Sequence, residues 1–493
     1  ATTPVPGSRD PPRPPPTALA AGTPTRLGDP VAALAAGEAP GRSGFRLLTR
    51  GPQALVARHA MVLAAQRTLD LQYYIVGDDA TSADLIGLAA QAAARGVRVR
   101  LLVDDIHTDG RDRLAASLAR HPNVEMRVFN PFGVRGTMGF WRTAEFLWDN
   151  DRLNRRMHNK AMIADNAVAV VGGRNLADEY FGSNAATAFV DLDLLAAGPV
   201  VAQLSEGFDA YWNSPYAIPV EAFVPDAPEP DHARLAAARP VAGAVPYADH
   251  LLAGTLPLQW GEARALWDLP EKVEGAAAAA RDGVRIGPRI RRMILDAKRS
   301  VTLASAYLVP RQRGVDEFAA LVDAGVRVRI VTNSLGANDV IAAHGGYAHY
   351  RPGLVQAGVA LYELRPQEAA DLPEPASGAS NRFRSRTSLH AKAMVIDGDT
   401  VVVGSFNGDP RSVWLNTETA VVVRNVAMAQ DLEAEVDTVI AERCHRVRWE
   451  DDHLVWERQE DGRTLRFDVE PDTSAWRRWL SRMVWAVTPE GSL

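Results

Sequence analysis

Residues 157–175 read MHNKAMIADNAVAVVGGRN, and residues 389–407 read LHAKAMVIDGDTVVVGSFN. The polar positions of the first stretch recur in the second, each 232 residues (390 minus 158) after its counterpart. A constant offset over a polar constellation indicates an internal duplication rather than two unrelated buried strands. The chain therefore carries two copies of one unit.

A second pair of segments extends the duplication towards the N-terminus of each copy. Residues 96–105 read GVRVRLLVDD, and residues 325–334 read GVRVRIVTNS. Each follows an amphipathic helical pattern, and a strand-like segment (LDLQYYIV or SVTLASAYLV) precedes that helix. Strand, helix and strand at this spacing predict a βαβ unit with a parallel sheet. We therefore predict an α/β fold built from two pseudo-symmetric lobes.

The composition is that of a globular protein with a sizeable core. Of the 493 residues, 47% are hydrophobic and 23% are charged, which suits two or three domains or one large pseudo-symmetric one. The net charge of −6 argues against a general nucleic-acid binder. The single cysteine, Cys444, excludes an intrachain disulfide and a thiolate metal cluster. No run of 18 apolar residues is present, so we predict no transmembrane helix in these residues.

Changes in composition predict four segments. They are a proline-rich tether and leading segment at 1–44, the first lobe at 45–225, the second lobe at 226–445, and a C-terminal hairpin with an amphipathic helix at 446–493. Periodicity lapses across 213–262, and residues 366–386 are predicted to form a loop. Seven prolines in the first 16 residues indicate an extended tether, either the end of a trimmed chain or a tether after a removed leader.

The repeated motif carries the groups that bind a phosphate. Side chains alternate along extended backbone, so His158 and Lys160 share one face. The lysine provides charge, the histidine provides a nucleophile or a proton, and the amide of Asn175 can donate to an oxygen. The second copy repeats these three as His390, Lys392 and Asn407. Around a pseudo-twofold axis the two copies would surround one phosphorus atom.

Glycines and aspartates complete the two motifs. Gly172, Gly173 and Gly404 would let backbone approach an anion closely. Asp165 and Asp397 fall five residues after each lysine and belong to the predicted catalytic motif. We interpret these aspartates as structural residues that fix a loop, with direct participation in the chemistry as the alternative.

The paired constellation resembles the phospholipase D superfamily, whose signature is HxKxxxxD followed by Gly-Gly or Gly-Ser, any residue and Asn. Both copies match it. The resemblance implies two α/β/α lobes that face each other with the active site at their interface. It also implies a covalent phosphohistidine with ping-pong kinetics, and neither a metal nor another cofactor.

The resemblance also implies a role for each motif residue. His158 would be the nucleophile, and His390 would be the general acid that later acts as the base. Four side chains would bind the non-bridging oxygens of the phosphate: Lys160, Lys392, Asn175 and Asn407. Two carboxylates match the positions that orient the histidines: Asp191, with Asp193 as its rival, and Glu418.

Flanking strings such as VFNPF, GGRNLADEYF and GSFNGDPRSVWLNTE are similar to bacterial cardiolipin synthases, above all to their C subtype. This resemblance implies transfer of a phosphatidyl group from phosphatidylglycerol or phosphatidylethanolamine to a hydroxyl of phosphatidylglycerol. Hydrolysis to phosphatidic acid stays open as an alternative, and so does a phosphodiesterase or nuclease acting on a non-lipid diester. The sequence does not identify a partner subunit.

Five further residues are predicted to line the substrate pocket. Four of them follow strands, at the edge where α/β sheets bind ligands, and the fifth lies in the DPRS run: Asp105, Asp339, His344, Tyr347 and Arg411.

Two segments are candidates for contact with a membrane. In residues 476–487, WRRWLSRMVWAV, helical spacing places Trp476, Trp479 and Met483 on one face, which suits a lipid interface. Residues 138–148, MGFWRTAEFLW, form the second candidate, with Phe140 and Trp141. For both segments the alternative is a helix packed on its own domain. We predict a peripheral membrane protein of a bacterial cell envelope, exported or lipid-anchored through the tether.

Overall fold

The computed structural model describes residues 17–107, 112–134, 139–183, 188–224, 226–338, 340–366 and 387–488. The first 16 residues of the predicted tether lie outside the described residues, and so do residues 367–386 of the predicted loop.

The first lobe alternates strands with helices, as the sequence predicts. Its strands are β1 Ser43–Leu48, β2 Thr68–Tyr73, β3 Arg98–Asp104, β4 Val124–Phe129, β5 Ala161–Ala164, β6 Val168–Gly172, β7 Ala188–Val190, β8 Asp193–Ala197 and β9 Ala217–Pro219. Its helices are α1 Gly28–Ala35, α2 Gly51–Ala64, α3 Ala80–Ala94, α4 Asp112–Leu118, α5 Gly139–Trp148, α6 Asn150–Leu153, α7 Asp178–Phe181, α8 Pro199–Trp212, α9 His232–Ala237 and α10 Ala244–Ala253.

The second lobe repeats this order. Its strands are β10 Gln259–Trp267, β11 Ser300–Ser305, β12 Arg327–Asn333, β13 Ala360–Leu364, β14 Thr387–Leu389, β15 Lys392–Ile396, β16 Thr400–Gly404, β17 Thr419–Arg424, β18 Cys444–Glu450, β19 His453–Glu460 and β20 Arg463–Phe467. Its helices are α11 Ala276–Ala280, α12 Gly287–Leu295, α13 Arg311–Asp323, α14 Ile341–Gln356, α15 Pro410–Trp414, α16 Val426–Arg443 and α17 Ala475–Val487.

The two sheets have matching topologies. In the first lobe the order is β9-β4-β3-β2-β5-β6-β8-β1, and in the second it is β18-β13-β12-β11-β15-β16-β17-β10. Only β2-β3-β4 and β11-β12-β13 pair in parallel within these sheets. Helices cross over between those parallel strands, because parallel neighbours need a crossover connection. The predicted α/β fold of two pseudo-symmetric lobes is confirmed.

Strands of the two lobes pair directly with each other. Strand β10 pairs with β1 at its start and with β17 over the rest of its length, so one hydrogen-bonded sheet runs through both lobes. Strand β7 of the first lobe pairs in parallel with β14 of the second. One apolar cluster draws residues from both lobes, for example Phe45 and Leu194 with Val403 and Val421. The lobes are therefore packed against each other through a shared core.

Two segment boundaries differ from the sequence prediction. Helices α9 and α10 follow the predicted division at 225/226, yet they pack on α3 and α2, and Leu256 still belongs to the first lobe's core. Apolar side chains such as Ala248 and Leu251 fix α10 there, and Gln91 of α3 donates to the carbonyl of Leu235 in α9, so the division lies after Leu256. The leading segment also folds with the first lobe, because Leu27 and Val31 are buried in the same core.

The C-terminal segment contains the predicted hairpin with one more strand pair. Strands β18, β19 and β20 form an antiparallel meander, and β18 also pairs with β13. The meander therefore extends the second lobe's sheet. No helix in the described part of the chain is both long and apolar enough to cross a membrane.

Candidate active site

The two motif histidines lie at the seam between the lobes, where the backbone of each lobe forms hydrogen bonds with that of the other. The amide of His158 donates to the carbonyl of Thr417 in the second lobe (2.9 Å), and the amide of Thr417 donates back to the carbonyl of Arg156 (2.9 Å). The amide of His390 donates to the carbonyl of Val190 in the first lobe (2.8 Å). Each histidine is therefore held by backbone of the opposite lobe.

Each histidine ring also bonds a carboxylate of the opposite lobe. His158 Nδ1 lies 2.9 Å from Glu418 Oε2, and His390 Nδ1 lies 2.7 Å from Asp191 Oδ2. Both carboxylates are fully buried. A carboxylate on Nδ1 fixes the tautomer that carries the proton there and leaves Nε2 with a lone pair. The geometry therefore brings together both predicted orienting residues and both predicted catalytic histidines.

The two carboxylates differ in what holds them. Glu418 also accepts hydrogen bonds from the hydroxyls of Ser405 and Ser412. Asp191 accepts from the amide of Leu192 (2.7 Å), and it packs against Gly173, where a Cβ atom would clash with its carboxylate. Gly173 thus makes room for a side chain of the protein itself, which corrects the expectation that it admits an anion.

Gly172 and Gly404 follow the same rule. A Cβ atom on Gly172 would clash with Asp193, and one on Gly404 would clash with the backbone at Thr419. These glycines permit close packing of adjacent strands. None of the three motif glycines is accounted for by an approaching ligand.

Both motif lysines are buried beside the histidines. The amine of Lys160 donates to the carbonyl of His158 (2.6 Å), and the amine of Lys392 donates to the carbonyl of His390. Burial, and then the charge of Lys392, lower the pKa of Lys160 well below its usual range, although Glu418 opposes this. The two amines are therefore close enough for the charge of Lys392 to oppose the protonation of Lys160.

The same positive charge acts on both histidines. Burial, followed by Lys160, Lys392 and Arg411, lowers the pKa of His158 well below its usual range. Burial and Lys392 lower the pKa of His390 to about 4, against the opposing effect of Asp191. Both imidazoles are therefore neutral at pH 7. A neutral imidazole that carries a lone pair on Nε2 can act as a nucleophile.

The orienting carboxyls are shifted in opposite directions. Burial raises the pKa of Glu418, although Lys160 and Ser405 oppose it. Burial acts in the same sense on Asp191, but His390 and Lys392 outweigh it and hold the pKa of Asp191 below its usual range. Asp191 is consequently the more firmly ionised of the two.

The motif asparagines lie beside the histidines at the ends of β6 and β16. Asn175 accepts from the amide of Ile75 (3.1 Å) and donates to the hydroxyl of Tyr180 (2.9 Å). The backbone amide of Asn407 donates to the hydroxyl of Ser412 (3.1 Å). Ser412 therefore links Asn407 to Glu418.

The motif aspartates do not bond the histidines. Asp165 accepts from the amides of Gln66, Arg67 and Thr68 (2.7–2.9 Å), and Asp397 accepts from those of Lys298, Arg299 and Ser300 (2.6–3.1 Å). Both lie at the far ends of β5 and β15 from the lysines, ~16 Å away along a strand. These hydrogen bonds fix the start of β2 and of β11.

Asp193, the rival of Asp191, is used elsewhere. Its carboxylate forms buried ion pairs with Arg58 (2.8 Å) and Arg174 (3.4 Å). It lies two residues beyond Asp191, at the start of β8, and holds two arginines of its own lobe. Asp191 is therefore the partner of His390.

The predicted pocket residues do not all lie at the seam. Arg411 lies at the seam and donates to the side chain and carbonyl of Asn154 (2.7 and 2.8 Å). Asp105 is buried and accepts from the amide of Phe132 (2.7 Å), which fixes the chain after β4. Asp339 lies outside the described residues.

His344 and Tyr347 belong to a separate buried cluster, which corrects their assignment to the pocket. His344 Nε2 lies 3.0 Å from Glu470, and the hydroxyl of Tyr347 donates to Glu363 (2.7 Å). Arg351 bonds both carboxylates. They lie on α14, which turns them into the second lobe's core and onto the C-terminal segment.

Two tyrosines of the first lobe were missed by sequence reasoning. The Tyr74 ring lies edge-on to His158 with centroids 5.0 Å apart, and Tyr180 lies likewise against His390 at 5.2 Å. The Nζ atom of Lys160 is 5.3 Å from the Tyr74 ring. Tyr74 stands at the end of a strand-like run, but nothing in that run distinguishes it from its neighbour Tyr73.

Helix α5 of the first lobe carries exposed apolar side chains. Helix α5 leaves Trp141, Leu147 and Trp148 exposed, with Trp148 92% exposed. Helix α5 follows β4, at the edge that holds His158. The structure thus rejects the alternative of a buried helix for this segment; the side chain of Phe140 lies outside the described residues.

Helix α17 docks by its other face. Ser481 and Trp485 pack against Gly345 of α14, whereas Trp476, Trp479 and Met483 are 61%, 49% and 45% exposed. The predicted apolar face therefore points away from the domain.

No cluster of three or more His, Cys, Asp or Glu side chains in the described ranges is arranged to hold a metal.

Known proteins are similar to this chain in sequence or in fold. The family described as "Cardiolipin synthase, PLD-like domain" matches residues 60–212 and 290–440. The chain is 37% identical to cardiolipin synthase C of Escherichia coli over 90% of this chain and 95% of that protein. It is 27% identical to a cardiolipin synthase of Geobacillus kaustophilus over 76% of this chain and 61% of the relative. Phosphatidylserine synthase of Haemophilus influenzae shares the fold, with a TM-score of 0.55 and 13% identity over 82% of this chain and 87% of that one.

Proposed function

The chain belongs to the cardiolipin synthase family of phospholipase D-type phosphatidyltransferases, and from this premise we propose that it makes cardiolipin through a phosphatidyl group held covalently on His158. The observation that carries the proposal is the reciprocal pairing of His158 with Glu418 and of His390 with Asp191. Two histidines fixed in this way can divide the work of nucleophile and proton donor.

In the first step the Nε2 lone pair of His158 attacks the phosphorus of the donor lipid. The P–O bond to the headgroup breaks, and His390 gives a proton to the departing alkoxide. A P–N bond to His158 replaces the P–O bond. Lys160, Lys392, Asn175 and Asn407 bind the non-bridging oxygens and stabilise the charge of the transition state.

In the second step a primary hydroxyl of phosphatidylglycerol attacks the phosphohistidine. His390, now neutral, takes the hydroxyl proton, the P–N bond breaks and the new diester leaves. The same residue acts as acid and then as base, which returns every group to its starting state.

The positive charge at the site fits this cycle. Burial and the two lysines lower the pKa of both imidazoles and keep them neutral in the free protein, so His158 starts as a nucleophile. A bound phosphodiester anion offsets the repulsion from the lysines and raises the proton affinity of His390. Arrival of the substrate thus prepares the general acid, because an anion nearby favours the protonated form.

The substrates proposed are phosphatidylglycerol as acceptor and either phosphatidylglycerol or phosphatidylethanolamine as donor. Exposed aromatic side chains on α5 and on α17 support docking on a membrane surface, since tryptophan favours the lipid interface.

Replacing Trp476, Trp479 and Met483 with serine should lower vesicle binding about tenfold or more. Cleavage of a soluble diester should not change, because this face lies outside the catalytic constellation.

Product analysis tests the proposal. Vesicles rich in labelled phosphatidylglycerol should yield cardiolipin in excess of phosphatidic acid, with free glycerol released. The same vesicles with phosphatidylethanolamine added would show whether ethanolamine is also a leaving group. Phosphatidic acid as the sole product, unaffected by more acceptor, would instead assign hydrolysis to this site.

A further inference from the structure

An apolar cavity in the first lobe is lined by Tyr74, whose ring lies against His158. It encloses about 320 Å³ between β3 and β4 on one side and helices α3, α4 and α9 on the other. Its walls are mainly aliphatic, including Ile86, Leu101, Val103, Leu118 and Met126. Its size falls within the range of small-molecule sites.

Tyr74 separates this cavity from the catalytic site. It lines the cavity, and its ring lies against both His158 and Lys160. A much smaller cavity of about 20 Å³ lies between Val99 and Val124, and it shares Ile86 and Leu118 with the larger one. Val99 and Asp104 are five residues apart on β3, so the apolar path is ~17 Å long.

Three of the six carboxylates on its wall cap a helix or bind an arginine. Asp79 accepts from the amide of Ser82 and caps α3, Asp231 accepts from the amide of Arg234 and caps α9, and Asp104 binds Arg156. The aliphatic side chains of β3, β4, α3 and α4 form the rest of the wall, which suits a long apolar group.

We propose that this cavity takes one acyl chain of the phosphatidyl group that His158 carries. The inference rests on the proposed function and adds a specificity site to it. The phosphate would lie at the lysines, the glycerol backbone beside Tyr74, and the chain between β3 and the helices. A chain held there would keep the covalent intermediate in place while the first headgroup leaves and the acceptor enters.

Filling the cavity tests this proposal. Ile86→Trp and Leu118→Trp place an indole in the path, and Leu63→Trp on α2 is the matched control, because Leu63 packs on the same core but does not line the cavity. The assay compares kcat/KM for dioleoyl and dihexanoyl phosphatidylglycerol in mixed micelles. The long-to-short ratio should fall at least tenfold in the filled variants and stay unchanged in the control.

Leu114→Asp tests the acyl site if the tryptophan variants do not fold. Leu114 lines the cavity yet is 48% exposed, so an aspartate there costs little stability but places a charge at the opening. Val245→Asp is its control, on an exposed residue of α10. Leu114→Asp should lower the same ratio at least tenfold.

The outcomes separate the two proposals. If the wild-type protein acts on phosphatidylglycerol and every folded cavity variant keeps the wild-type ratio, the acyl site is wrong and the proposed function stands. The wild-type protein could instead cleave a non-lipid diester and act on neither dioleoyl nor dihexanoyl phosphatidylglycerol. In that case the proposed function fails, and the acyl site fails with it.

Discussion

The two lobes have the same motif and topology but differ in how they hold their carboxylates. In the first lobe Gly173 leaves space for the short side chain of Asp191, which reaches His390. In the second lobe Ser405 stands at the equivalent position, and its hydroxyl donates to the longer Glu418. A glycine with an aspartate and a serine with a glutamate are thus two solutions to one geometric requirement. The difference gives the two histidines unequal surroundings.

The lobes also differ in their outer layers. In the second lobe Phe318 and Tyr347 fill the space between the sheet and helices α13 and α14. In the first lobe the alanine-rich α3 and the short α4 leave the cavity beside Tyr74. Duplication preserved the phosphate-binding side chains, whereas the packing around them diverged. We infer that one lobe holds the covalent intermediate and the other handles protons.

Replacing each histidine in turn should give the largest effects and separate these roles. His158→Ala should remove turnover altogether, because it deletes the proposed nucleophile. His390→Ala should lower turnover by ~10²–10⁴-fold with a natural lipid, the usual contribution of an acid or base. Steady-state cardiolipin synthesis measures both. Equal residual activity in the two variants with a nitrophenyl leaving group would contradict the division of labour.

The orienting carboxylates should give the next largest effects, and each should affect the histidine across the seam. Asp191→Asn and Glu418→Gln should each lower kcat by ~10²–10⁴-fold, since each amide disfavours the required tautomer. Glu418→Gln should slow formation of the covalent intermediate, and Asp191→Asn should slow its transfer to the acceptor. Rapid-quench kinetics distinguishes the two steps. Asp193→Asn is the control for loss of a buried carboxylate outside the site.

The motif aspartates should affect stability and leave catalysis intact. Asp165→Asn should lower the free energy of unfolding by about 1–3 kcal/mol, because up to three amides lose a charged acceptor. Asp397→Asn should cost less, since Asp397 is only half-buried. Urea denaturation measures both changes. A loss of kcat greater than tenfold in a folded Asp165→Asn variant would return this residue to the chemistry.

The lowered pKa of His390 should also make the free energy of unfolding depend on pH, and this effect should be smaller than the preceding ones. The pKa of His390 is lowered to about 4 in the folded chain, so the unfolded chain binds the proton first as the pH falls. The free energy of unfolding should therefore decrease between about pH 6.5 and 4, by at most ~1.4 kcal/mol per pH unit for this group. His390→Asn should flatten the dependence. An unchanged slope would mean that His390 is not held neutral.

The sequence predicts the fold and the reacting groups because both depend on local patterns. The repeated His-x-Lys strings and the strand–helix–strand order are legible residue by residue. Which carboxylate faces which histidine depends on how the two lobes pack, and no spacing along the chain encodes that. His344 and Tyr347 were misassigned for the same reason: they follow a strand of the correct type, but α14 turns them towards Glu470 and Glu363.

The central claim is that one histidine carries the phosphatidyl group while the other moves protons. Its most direct test is to quench the His390→Ala variant during reaction with a phosphatidyl ester of nitrophenol and to map the adduct by mass spectrometry. The proposed mechanism predicts a phosphatidyl group on the peptide that contains His158, and none when His158 is also replaced. An adduct on another residue, or turnover without any adduct in the wild-type protein, would contradict it.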